Sequence, residues 1–287
     1  MNKSSGDKIF TAFNYALFIA LGIITIYPFW YVLMFSMNDP NMASVQSLNL
    51  YPEHFSLITY KYVLSQPFIY TGYKNTLIVT TVGTLISMIT TIGCAYPLSK
   101  DKLVGRKWIF GLFFFTMLFH GGTIPTYLVV KELHMVDTLW ALMIPGAISV
   151  FYMMIMIKFF KGIPAELIES AKMDGAGEMF ILFRIIMPLS GAVNASVGLM
   201  YAVGKWNEYL AGVIYINDNS KKVLQVALNG MLREDTLSGQ AGLMELATSP
   251  ESVKMAAVIV SVLPILCVYP FLQKYFVKGM MIGAVKG

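Results

Sequence analysis

Apolar residues fall in long runs along this chain, and polar residues are largely confined to the breaks between them. Six runs lie near residues 9–36, 70–98, 108–130, 138–160, 190–211 and 253–272. Each is close to the roughly 20 residues that a helix needs to cross a bilayer. None alternates inward and outward over about ten residues, as the strands of a membrane barrel do. The pattern predicts an all-α polytopic membrane protein, with six spans in one transmembrane domain over residues 1–287. The first run follows Lys3 and Lys8, as a secretory signal would. It is too long for the apolar part of a signal, and no small-x-small site ends it. It is expected to stay as the first membrane helix.

The most heavily charged helical interruption is "IPAELIESAKMDGAGEMFILFRIIMP", residues 163–188. Pro164 suits the first turn of a helix, where its missing N–H costs nothing. Glu166 and Glu169 follow in the early turns, where the helix dipole favours acids. Ile168, Ala171 and Gly175 share a face, and Gly175 can close the helix in a left-handed conformation. A second helix then carries Met179, Phe180, Phe183 and Ile186 on one side, and Pro188 opens the next span. Two readings of this helix–turn–helix are open. It lies on the membrane surface with its Phe and Ile toward lipid, or it is an elbow seated in another protein. In the second reading small residues at Ala171, Gly175 and Ala176 allow close approach, and Glu169 and Asp174 meet basic groups.

Charge changes the picture by giving the runs an orientation. The N-terminal segment, residues 100–107, residues 158–187 and the tail after residue 272 hold 13 of the 21 Lys and Arg. Seven lie on the other side, counting Lys74 and Lys254 at the outer ends of the second and sixth runs, and Lys205 falls inside the fifth. The positive-inside rule then puts both termini and the 163–188 loop in the cytoplasm. Composition agrees with a membrane class: 56% of residues are hydrophobic and 13% charged, against about 25% charged in soluble domains. The net charge of +5 is scattered over short loops, which argues against a nucleic-acid partner. Cys94 and Cys267 lie in apolar runs and read as small buried hydrophobes, with no disulfide framework. On the outer side, residues 221–234 place Val223, Val226, Ala227 and Met231 at helical spacing. That predicts an amphipathic helix packed on the protein's own outer face or against an external partner.

Catalytic chemistry is hard to find. "GLMYAVGKW" (198–206) has five residues between its glycines where a phosphate-binding loop has four, and Trp206 where that loop has Ser or Thr. His54, His120 and His134 show no ligand spacing, so neither a metal site nor a cofactor is expected in this chain. Polar groups at membrane depth are the remaining candidates, because burying them in lipid is costly. "GKWNEYL" offers Lys205, Trp206, Asn207 and Glu208, with Lys205 and Glu208 spaced to pair on one helix face. It lines a translocation path or is simply the interfacial end of a span. "FHGGTIPTY" (119–127) offers Gly121, Gly122 and Tyr127. Its glycines and Pro125 break a helix, at a cavity wall or at a plain kink.

The stretch "ESAKMDGAGEMFILFRIIMPL" resembles the EAA loop of binding-protein-dependent ABC importer permeases. That loop has the form E-A-A-x-x-D-G-A, an aromatic-rich stretch and I-x-x-P. Glu169, Ala171, Asp174, Gly175, Ala176, Phe180, Ile185 and Pro188 fill the pattern, and Ser170 stands at the middle alanine. "FFKGIPAELIES", "WNEYL" and "QKYFVKGMMIGAVKG" are similar to the maltose-type, carbohydrate-importing branch. The resemblance implies the type I ABC importer permease fold, with the loop as a coupling helix docked in a cytoplasmic ATPase. Glu169, Ser170, Ala171, Asp174, Gly175, Ala176 and Phe180 would make that contact, and tail residues Lys278, Gly279, Gly283 and Lys286 would reach the same partner. It further implies a second permease subunit, two ATPase subunits that hold ATP and Mg, and an extracytoplasmic substrate-binding protein. Residues 121–156 look like subgroups that carry plant or algal polysaccharide fragments, acidic ones included. An ABC permease for a non-sugar solute, an ion-coupled secondary transporter and a purely structural membrane subunit are the competing readings. Among the predicted spans Glu208 is almost the only acid, which weighs against ion coupling.

Overall fold

The computed structural model describes residues 5–40, 48–234 and 249–284, which are mostly helical. Among them, β structure is limited to one bridge between Asn38 and Phe55. The chain divides into two compact units, residues 1–69 with 228–264 and residues 70–227 with 265–287.

The first unit opens with α1 (Ser5–Ser36), followed by a folded connection and α2 (Ile58–Ser65). The most apolar stretch of α1 buries none of its residues within the chain, as expected of a helix dissolved in lipid. The connection folds back on the end of α1. Tyr27 Oη and Trp30 Nε1 donate to the carbonyls of Leu48 and Leu50 at 3.1 and 2.8 Å. Asn38 Oδ1 accepts from the backbone N–H of Asp39 and His54.

The second unit begins on α3 (Pro67–Ser99), which spans in one piece. The next two predicted spans do not. Residues 106–132 form α4 (Arg106–Leu118) and α5 (Thr123–Glu132), bent by 117°. The bend falls at Gly121 and Gly122, the latter at φ 87°, which suits glycine. Residues 138–160 form only α6 (Trp140–Met143) and α7 (Val150–Lys161). Pro145 has no N–H to continue the ladder, and Gly146 follows it. The single helix expected there is therefore replaced by two helices joined by a non-helical stretch, 144–149. α8 (Ala165–Met173) and α9 (Glu178–Leu189) form the helix–turn–helix, and α10 (Gly191–Trp206) leaves α9 at 84°. The fifth predicted span also ends early, at Trp206, and α11 (Leu210–Tyr215) begins beyond a break.

α12 (Leu224–Glu234) rests on this unit's own surface through Val223, Leu224, Val226 and Ala227, all buried. The segment thus packs on the protein's own face at these residues. Two glycines admit it. A Cβ on Gly72 would come within 3.1 Å of Leu224 Cα, and one on Gly212 within 2.7 Å of Val226 Cγ2. α13 (Pro250–Ala284) runs without a break through the sixth span and into the predicted tail. Among the described residues, α1, α3 and the 250–267 part of α13 are long and apolar enough to cross a membrane, and the number is up to five if each bent pair is one span.

Two clusters form the core of the second unit. One joins α3, α7, α9 and α10 through Ala95, Met153, Met156, Ile181, Ile186 and Val197. The other joins α3, α5, α6 and the segment entering α12, through Val79, Val130, Leu142 and Val223. Lipid tails are as apolar as these side chains, so close packing rather than exclusion from water holds such clusters together.

Candidate functional site

The helix–turn–helix turns at Gly175, whose φ is 82°. The Ala176 N–H reaches back across it to the Ala171 carbonyl at 2.9 Å, closing the end of α8. Ile168, Ala171 and Ala176 pack against the chain's own core. The close approach expected at the small residues is thus made at Ala171 and Ala176 by this chain itself. Glu169, Ser170, Asp174, Gly175 and Phe180 face outward, together with Leu167, Met173, Met179 and Phe183. Met173 is 89% exposed. Ile186 was expected beside Phe183 but is buried with Ile181 and Leu182. A π-turn over Leu182–Ile186 widens the helix there and rotates Ile186 away from the Phe183 side.

Glu178 fastens the turn to the end of α3. Its carboxylate lies 2.5 Å from Lys172 Nζ on α8 and 3.6 Å from Lys100 Nζ, and it accepts from Tyr96 Oη at 2.5 Å. Lys100 also stands 4.5 Å over the Tyr96 ring. Outside the spanning segments, the Lys172 hydrogen bond, then that of Tyr96, hold the Glu178 carboxyl down at about 2. Asp101 makes a parallel tie, to Lys161 at the end of α7 (2.6 Å) and to Arg106 at the start of α4 (2.8 Å). The Lys161 hydrogen bond keeps its carboxyl below the usual range. Sequence reasoning singled out none of these residues. The available signal was the acid in the first turn after the glycines, but its partners sit 6 to 82 residues away.

The polar groups at membrane depth divide into two places. Lys205 is buried, and its Nζ donates to the carbonyls of Leu142 (2.8 Å) and Met143 (3.4 Å). These are end carbonyls of α6, which the truncated helix leaves without intrahelical partners. One turn earlier on α10, Tyr201 Oη accepts from the Ser149 N–H at 2.8 Å, at the start of α7, and bonds Thr91 Oγ1 at 2.7 Å. The expected Lys205–Glu208 pair does not form. α10 ends at Trp206, and Glu208 instead accepts from the Ala211 N–H at 3.2 Å, at the start of α11.

Glu208 lies in the second place. Together with His120, Gly121, Gly122, Thr126 and Tyr215 it lines a cavity of about 400 Å³. The structure so joins Gly121 and Gly122 to Glu208, from stretches separated by more than 80 residues. Lys205, Trp206, Asn207 and Tyr127 are not among its lining residues. Trp206 packs near Tyr73 with ring centroids 6.3 Å apart, and Asn207 Nδ2 donates to the Val203 carbonyl at 2.9 Å. Tyr127 stacks on the lining residue Tyr215, with ring centroids 6.1 Å apart and planes 7° from parallel. Among the described residues no three His, Cys, Asp or Glu are grouped to hold a metal. Lys278, Gly279 and Gly283 fall on the helical backbone of α13, and Lys286 lies outside the described residues.

A membrane-embedded helical bundle with a charged hairpin tied to its span ends defines a transport permease rather than a soluble enzyme. Residues 83–282 match the family model described as "Binding-protein-dependent transport system inner membrane component", and the chain belongs to that family, the permeases of ABC importers. It is 42% identical to protein LplC of Bacillus subtilis (strain 168), over 100% of this chain and 98% of that protein. It is 38% identical to the polygalacturonan/rhamnogalacturonan transport system permease protein YtcP of the same organism, over 98% and 99%. It is also similar to a chain in the crystal structure of a bacterial ABC transporter involved in the import of the acidic polysaccharide alginate. That match has a TM-score of 0.91 at 30% identity, covering 96% of this chain and 99% of the other. The all-α type I permease fold expected from the sequence is the fold of this chain.

Proposed function

We propose that this chain is the transmembrane subunit of an ATP-driven importer that takes up a sugar or oligosaccharide delivered by an extracytoplasmic binding protein. It pairs with a second permease, and two cytoplasmic ATPase subunits hold the ATP and Mg. Alternating access moves the cargo inward, and both termini face the cytoplasm. The observation that carries this reading is the 165–189 hairpin. Its exposed side sets apolar Leu167, Met173, Met179, Phe180 and Phe183 beside Glu169 and Asp174. Glu178 and Asp101 tie its surroundings to the ends of α3, α4 and α7. A subunit gripping that side would pull on several spans at once. The carbohydrate cargo rests on the similarity to YtcP, a polygalacturonan/rhamnogalacturonan transport permease, and to the transporter involved in the import of the acidic polysaccharide alginate. The Glu208 cavity is the candidate stretch of the path, a carboxylate and an aromatic ring being groups that hydrogen-bond and stack on sugars.

Gentle detergent extraction of the tagged chain from its host tests the assembly. Recovery with a second permease and an ATPase supports it, and a co-purifying binding protein narrows the cargo. A chain that transports by itself after reconstitution would overturn it.

A further inference from the structure

The break in the fourth predicted span poses a question that docking and cargo do not answer. Residues 144–149 are non-helical within an apolar run, where unsatisfied backbone groups are costly. Ile144 N–H still reaches the Trp140 carbonyl at 2.9 Å, and Ala147 N–H the Ile144 carbonyl at 3.0 Å. Further groups in and beside the break are taken by side chains from two other helices. Thr90 Oγ1 of α3 donates to the Ala147 carbonyl at 3.3 Å. Tyr201 takes the Ser149 N–H, and Lys205 takes the Leu142 and Met143 carbonyls.

Tyr201 and Lys205 are four residues apart and so share one face of α10. That face continues through the buried Val197 and Val193 toward the start of the helix. There the backbone runs into the hairpin without a loop. Ser190 N–H bonds the Ile186 carbonyl and Asn194 N–H the Ser190 carbonyl, both at 2.9 Å, so Ser190 at the bend is bonded to the helix on either side. At its other end, α6 packs against α11, whose Leu210, Ala211, Ile214 and Tyr215 line the Glu208 cavity. The Lys205 stem lies in a slot with Gly83 on one side, where a Cβ would come within 3.4 Å of Cδ.

We propose that Lys205 and Tyr201 are a positioning pair that clamps both sides of the 144–149 break to α10. Movement of the hairpin is thereby delivered through α10 to α6 and the cavity as displacement of one body. Lys205 serves here as a fastener of backbone rather than as a contact for cargo. The inference rests on the importer reading for its functional half only, since the clamp itself belongs to this chain.

Two variants, Lys205→Met and Tyr201→Phe, keep the volume and remove the polar atoms. Hydrogen exchange on the purified chain in detergent should rise at amides 144–149 in both, with the hairpin amides unchanged. In the reconstituted complex, the ratio of binding-protein-stimulated to basal ATP hydrolysis should fall about tenfold in Lys205→Met, the weight of one charge-assisted hydrogen bond. The double variant should lose little more than Lys205→Met, because both residues act through one link. Unchanged exchange at 144–149, or an unchanged ratio in Lys205→Met, would overturn the clamp. A wild-type chain that recruits no ATPase would instead overturn the importer reading, and the exchange result would still decide the clamp.

Discussion

Tyr96 gives its phenolic hydrogen to Glu178 at 2.5 Å, although 82 residues separate them. That contact joins the last turns of a membrane helix to the first turn beyond the Gly175 bend, with Lys100 and Lys172 on either side of the same carboxylate. The hairpin is attached to the bundle by a charged knot as well as by the chain leading into α10.

Removing the acid should loosen the hairpin without unfolding the bundle. Glu178→Ala leaves the buried Tyr96 hydroxyl with only the longer contact to the residue-178 backbone carbonyl, 3.4 Å, at a cost of about 1 kcal/mol. The exposed ion pairs add less, about 0–1 kcal/mol each. Hydrogen exchange over residues 165–181 should accelerate, while amides in the middle of α3 keep their protection.

The same knot has a pH dependence with a definite sign. Glu178 is held at about 2 in the folded chain, below its usual 4.5, chiefly by Lys172. A depressed carboxyl contributes its full stabilisation above the ordinary value and loses it as pH falls through the folded one. The hairpin should therefore be unaffected by pH near neutrality and should loosen between about pH 4.5 and 2. The Glu178 carboxyl carbon shift, followed by NMR on labelled chain in detergent, checks the midpoint. Glu178→Gln should abolish the transition.

The turn itself is expected to be indispensable for coupling. Proline cannot adopt the φ of 82° found at Gly175. Gly175→Pro should abolish uptake while membrane insertion persists. So should Glu169→Lys combined with Asp174→Lys, which reverses the exposed charges without touching the bend. Normal uptake in either would remove the hairpin from the mechanism.

Glu208→Gln tests the cavity. If cargo passes there as proposed, the carboxylate accepts from sugar hydroxyls and repels uronate carboxylates. The variant should transport neutral oligosaccharides about tenfold less well, the cost of one hydrogen bond to a charged group. Its ratio of uronate to neutral uptake should rise. Competition uptake in proteoliposomes reads both.

Gly212→Ala addresses packing alone. The added methyl would stand 2.7 Å from a methyl of Val226, whose β-branched side chain has few rotamers to retreat into. Overpacking of this kind costs about 1–3 kcal/mol. Thermal unfolding in detergent should show the loss, with α12 detaching first by hydrogen exchange.

Much of this was legible before any coordinates. Run lengths reveal the class, and the DGAG signal located the left-handed turn because glycine's backbone freedom is a local property. The amphipathic segment before residue 234 was equally visible, although its seat at Gly72 and Gly212 was not. What could not be read depends on partners distant in sequence. Pro145 and Gly146 mark a possible break, but whether 138–160 breaks depends on Lys205, Tyr201 and Thr90 arriving to satisfy it. Helical spacing correctly put Lys205 and Glu208 within reach, yet the end of α10 at Trp206 sent them to different neighbours. Ile186 was placed beside Phe183 by assuming a uniform helix, and the π-turn changed the register. Glu178 looked like one acid among four, because a knot made with Tyr96 and Lys100 leaves no periodic trace.

The helix α1 makes a different demand on its sequence from α10. Its apolar middle buries nothing within the chain, while Tyr27 and Trp30 hold specific carbonyls beyond it. Drift over time should record that difference: the order of Leu, Ile, Phe and Ala along α1 is free to scramble, provided length and greasiness survive. Val197, Tyr201 and Lys205 have no such liberty. A comparison of descendants would find α1 less recognisable than α10, with two aromatic landmarks surviving near its end.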